Sequence, residues 1–108
     1  MKQKILIIET NFCKFFATKL VIETQLKLKI NVIESSNITN IVDYAREFSP
    51  RSIVYCPKGG VVDLFRKMKR RGINQRNTQI TLVLADESDP SLHENLQKAF
   101  TKDVHKAA

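Results

Sequence analysis

The chain has 108 residues, carries a formal net charge of +7 and is 43 % hydrophobic. That length fits one domain with a single core. The charge favours acidic partners, and two cysteines in separate segments exclude a zinc cluster with ligand spacing.

Elements alternate along the chain. Residues 4–9 (KILIIE) form an apolar, β-branched run, the pattern of a strand covered on both faces. This run is too short for a signal-peptide core, and no stretch is long enough to span a membrane, so a cytoplasmic protein with reduced thiols is expected. A helix should begin near Thr10 or Asn11, either of which can cap it, with Phe12, Phe16 and Leu20 as its inward stripe and Ala17, Val21 and Thr24 widening that stripe. Leu28, Ile30 and Val32 alternate with Lys29, Asn31 and Ile33, which predicts a half-covered strand. Ser35, Ser36 and Asn37 break that strand and offer a cap. Ile38, Ile41, Val42, Ala45 and Phe48 recur at helical spacing until Ser49-Pro50 stops them.

Residues 53–56 (IVYC) read as a buried strand leading through a Pro57–Gly60 turn into a helix. Val61, Leu64, Phe65 and Met68 face inward on that helix, and Gly72 ends it. Residues 78–85 (TQITLVLA) are a fourth apolar strand. Asp89-Pro90-Ser91 starts a last helix with Leu92, Leu96, Ala99, Phe100 and Val104 on one face. The order βαβαβαβα implies an α/β fold with a parallel sheet, right-handed crossovers and helices on both faces.

On these segments the chain resembles a response-regulator receiver domain, a CheY-like, flavodoxin-like three-layer sandwich. KILIIETN stands where receivers run a strand into paired acidic residues, and PRSIVYCP where the strand ends in the phosphoacceptor. PKGGVVDLFRKMK resembles the family's proline, glycine turn and helix, and ITLVLAD the strand ending in a switch hydroxyl. The KGG turn and altered acidic site also resemble the atypical receivers at the front of flagellar transcription activators. Only one helix follows the fourth strand, so the resemblance implies sheet order 2-1-3-4. The fifth strand is then missing or belongs to a longer parent chain.

Carried over by position, the receiver pocket is degenerate. Glu9 keeps the first acidic position, whereas Thr10 replaces the second. Cys56 replaces the acceptor aspartate, and Leu84 replaces the switch hydroxyl. Lys102 weakly resembles the family lysine but sits at helical spacing. A thiol is a soft, poor Mg²⁺ ligand and cannot form an acyl phosphate. Glu9 is then either a residual metal ligand or a solvated residue at a strand's end. Cys56 is either a small buried hydrophobe or a reactive thiol, the latter needing cationic neighbours.

In the order 2-1-3-4 the fourth strand is an edge with no charge inside its apolar run. Ile80, Leu82 and Leu84 would then need cover from a homodimer, from a protein partner or from the last helix. Residues 66–76 (RKMKRRGINQR) hold Arg66, Lys67, Lys69, Arg70, Arg71 and Arg76, a basic outer face that is either simply solvated or a dock for nucleic acid or acidic protein. His93 and His105 lack metal-ligand spacing, and Lys58-Gly59-Gly60 lacks the spacing of a phosphate loop. The resulting expectation is a non-enzymatic pseudo-receiver in signalling or transcription, without metal or cofactor, working through protein contact. A basic nucleic-acid-binding module is the alternative.

Overall fold

A computed structural model describes residues 3–34, 37, 38, 40–70, 78–85, 92, 94–96 and 98. It is an α/β fold around a four-stranded, all-parallel sheet: β1 (Gln3–Glu9), α1 (Phe12–Val21), β2 (Ile30–Glu34), α2 (Ile41–Ala45), β3 (Ile53–Tyr55), α3 (Val61–Arg70) and β4 (Thr78–Leu84). α1 continues into a π-helical turn over Ile22–Leu26, which Lys27 closes in the left-handed conformation at φ 54°. Leu92, Glu94, Asn95, Leu96 and Lys98 are helical, as expected for the last helix.

The strand order is β2-β4-β1-β3, which corrects the expected 2-1-3-4. β4 is an interior strand. It pairs along its full length with β1, from Gln3↔Thr78 to Glu9↔Leu84, and on its other side with β2, from Ile30↔Ile80 to Glu34↔Leu84. The supposed free edge at Ile80, Leu82 and Leu84 is therefore closed within the chain. The physical reason is in the run itself: Ile80, Leu82 and Val83 are buried on alternate faces, which an interior strand satisfies with helices on both sides. β2, with exposed Asn31 and Glu34, takes the edge instead.

Alternation along β1 divides the core. Ile5 and Ile7 join Val54, Ile80, Leu82, Phe15, Ile22, Leu64 and Met68 under α1 and α3. Leu6 and Ile8 join Ile53, Tyr55, Val83, Ala45, Leu92 and Leu96 on the opposite face. Single-handed crossovers explain this split. The moves β1→β2 and β3→β4 run one way across the sheet and the move β2→β3 runs back, so α1 and α3 share a face while α2 takes the other. Each fully buried aliphatic side chain contributes about 1.5–3 kcal/mol of transfer free energy.

Two helix details differ from the sequence expectation. Asn40, not the Ser35–Asn37 cluster, caps α2; its Oδ1 accepts from Val42 N at 2.9 Å and Asp43 N at 3.3 Å. On α1 the inward residues are Phe15, Thr18 and, at the π turn, Ile22, whereas Phe12, Phe16 and Leu20 lie outside. Asn11 is the α1 cap, accepting from Lys14 N at 3.0 Å.

Candidate functional site

The carboxyl ends of β1, β3 and β4 lie side by side, with β1 in the middle. This end of a parallel sheet is where α/β folds place ligands. It gathers Glu9, Thr10, Cys56 and Leu84. Glu9 is level with Leu84 in the β1–β4 register, and Cys56 follows the last residue of β3. Because β4 lies beyond β1, Leu84 and Cys56 flank Glu9 from opposite sides and are not neighbours, as the order 2-1-3-4 would have made them. Lys102 falls outside the described residues.

Glu9 is 3 % exposed, which corrects its reading as a solvated strand end. The chain turns directly from β1 into α1 there, so the carboxylate meets backbone donors. Its Oε1 accepts from Thr10 N at 3.1 Å and Asn11 N at 3.0 Å. Oε2 faces Lys14 Nζ at 3.7 Å, and the same ammonium donates to Cys56 O at 3.1 Å. Lys14 thus ties the end of β1 to the end of β3 from the first turn of α1. A buried carboxylate requires such partners, since its desolvation is otherwise costly. Ala85 N donates to Glu9 O at 2.8 Å and ties in the end of β4.

A second ammonium closes the same end from α3. Lys67 Nζ donates to Tyr55 O at 3.3 Å, so this lysine turns toward the sheet and away from the basic outer face. Cys56 is buried beneath it. Burial pushes the thiol above its ordinary value; the Lys67 ammonium lowers it in part, and the Asp63 carboxylate raises it further. Asp63 stands in the first turn of α3, against the turn that follows Cys56. A Cβ added at Gly59 would lie 2.5 Å from its Oδ2, so a larger residue there would require the exposed Asp63 side chain to move aside. A neutral, buried thiol is a poor nucleophile, which favours the hydrophobe reading of Cys56.

The receiver resemblance implies Mg²⁺. The residues present do not fit it: both Glu9 oxygens engage the chain's own donors, an ammonium stands beside them, and a thiol replaces the second hard ligand. Among the described residues, no group of three or more His, Cys, Asp and Glu side chains is arranged to hold a metal ion.

Sequence reasoning missed Lys14, and it set Lys67 on the basic outer face, whereas its ammonium turns to Tyr55 O. The signal for Lys14 was a lysine in the first turn of a helix, where the macrodipole alone would favour an acid. Of the basic stretch, Arg66, Lys69 and Arg70 are exposed on α3, while Arg71 and Arg76 lie outside the described residues. No helix among the described residues is long and apolar enough to cross a membrane. No family model, curated protein or solved structure matches the chain.

Proposed function

We propose that this domain is a non-catalytic, cytoplasmic regulatory module that works through protein–protein contact: a receiver-like α/β body, with a strand order that departs from the receiver's, whose acidic pocket does not accept a phosphoryl group. The observation that carries the reading is the internal neutralisation of Glu9 by Lys14 and two backbone N–H groups. A receiver's carboxylates stay available to a divalent cation, and that cation offsets the charge of the incoming phosphoryl group. Here a lysine of the same chain supplies the positive charge permanently. With a thiol at the acceptor position and Leu84 at the hydroxyl position, the site has neither an acceptor for a phosphoryl group nor a residue to report one. Such a domain is held in one state and is shifted only by a partner that binds one conformation better. Incubation with a small phosphodonor and Mg²⁺ should leave the intact mass unchanged, whereas a stoichiometric phosphoryl adduct would overturn the proposal.

A second reading draws on Arg66, Lys69 and Arg70, exposed together on α3 in a chain of net charge +7. These residues suit contacts to nucleic-acid phosphates. Duplex affinity would then fall with salt at a logarithmic slope of about −0.9 per phosphate contact. A gel shift unchanged between low and moderate salt would dispose of that reading.

A further inference from the structure

α1 carries more apolar surface than its own sheet covers. Phe12 is 63 % exposed, Phe16 50 % and Leu20 61 %. Spaced four residues apart, they form a ridge of roughly 12 Å along the helix. The ridge is joined to the core: Phe12 and Phe16 meet edge to face at 4.7 Å, and Phe16 meets the buried Phe15 in the same way at 5.6 Å.

The start of the ridge overhangs one particular side of the sheet. At about 100° per residue, Lys14 lies roughly 160° around α1 from Phe16. Lys14 reaches toward the end of β3, so Phe12 and Phe16 lie on the flank nearer β2, while Leu20, opposite the buried Phe15, Thr18 and Ile22, points away from the sheet. There β2 is the outer strand, and among the described residues it pairs only with β4. Ile30 packs into the core under α1, and strand alternation puts Val32, 40 % exposed, on that same face. Phe12, Phe16 and Val32 thus lie toward the same side of the sheet as the edge of β2.

We propose that this surface pairs with a second copy of the chain. β2 lies antiparallel to the partner's β2 about a two-fold axis near Val32, and each α1 ridge covers the other. The proposal deepens the protein-contact reading above and rests on it. A single two-fold operation covers both the open edge and the apolar ridge. Charge also selects this arrangement. Exposed Lys27 and Lys29 precede the body of β2 and exposed Glu34 ends it, so antiparallel pairing sets the basic start of one strand beside the acidic end of the other. A parallel neighbour of the same sequence would set like charges together. Area is adequate too. The exposed parts of Phe12, Phe16, Leu20 and Val32 amount to roughly 400 Å² per copy. Two copies and the strand pairing bring the total near the ~1,200 Å² at which stable specific interfaces begin.

Light scattering and sedimentation equilibrium of the full chain test this. The expected mass is twice 12.4 kDa. Phe16→Glu should lower the self-affinity at least 100-fold while leaving the far-ultraviolet circular dichroism unchanged. Val32→Lys, which places two lysines at the axis, should weaken self-association independently. Because Cys13 is exposed and Cys56 buried, a spin label goes to Cys13, and dipolar coupling between labels should appear in the wild type and vanish in Phe16→Glu. A wild type that stays monomeric at high concentration overturns the pairing, and so does a dimer that survives both substitutions. A monomer would leave the phosphodonor result untouched, and a phosphoryl adduct would overturn the pocket reading whatever the mass.

Discussion

The two flanks of α1 behave in opposite ways. On the side toward β3, Lys14 ties Glu9 and the Cys56 carbonyl together from within the chain. On the side toward β2, Phe12 and Phe16 stand out in water beside an open strand edge. The closed flank lies where a parallel sheet ordinarily receives a ligand; the open flank lies where a sheet ordinarily protects itself. The contrast is between charge neutralised inside the chain on one flank and apolar side chains left exposed on the other.

Five substitutions bear on the contrast, the largest expected effect first. Leu82→Ala empties a fully buried position on an interior strand and should cost about 2–5 kcal/mol in urea unfolding. Val32→Ala, on the edge strand, should cost less than about 1 kcal/mol. Equal costs would mean that β4 is not interior. Lys14→Met leaves the Glu9 carboxylate buried with its backbone donors alone, and should cost about 1–3 kcal/mol by the same assay. Adding Glu9→Gln to Lys14→Met should recover part of that loss, and strict additivity of the two would show that they do not interact. Asn40→Ala removes the α2 cap and should cost about 1 kcal/mol, readable as a lowered unfolding midpoint.

The smallest effect concerns Cys56. Its thiol is raised above 9.0 in the folded chain, so folding favours the neutral form. The corresponding stability is complete below the unfolded-state value of about 9.0 and is lost as pH rises from there through the folded-state value. Cys56→Ala should flatten that alkaline decline. Alkylation should likewise modify Cys13 well before Cys56; equal rates would show that the β3 end is open.

The element sequence was legible because its periods alternate cleanly. β1, β3 and β4 read as buried runs, α3 presents Leu64 and Met68 inward as expected, and Asn11 caps α1. Strand order was not legible, because periodicity identifies elements and says nothing of their neighbours. Still, β4 and β2 carried the clue: a run apolar on both faces belongs inside a sheet, while one interrupted by Lys29 and Asn31 tolerates its edge. α1 misled for a chemical reason. FCKFFATKLV holds two stripes, and the inner one contains Thr18, whose buried hydroxyl has no partner among the described residues, so the more apolar outer stripe looked like the core side. Glu9 and Cys56 were rightly set at one end of the sheet, since parallel strands bring their carboxyl ends together. The lysines that close that end reach it from helices, through side-chain directions that no linear pattern reports.

Lys14 and Lys67, the chain's own cations, close the Glu9 end of the sheet. This closure is tested most directly by amide and side-chain NMR of the full chain titrated with Mg²⁺ and then beryllofluoride. The resonances of Glu9, Thr10, Asn11 and Cys56 are expected to stay in place throughout. Saturable shifts confined to those residues, with Lys14 released from Glu9, would contradict it.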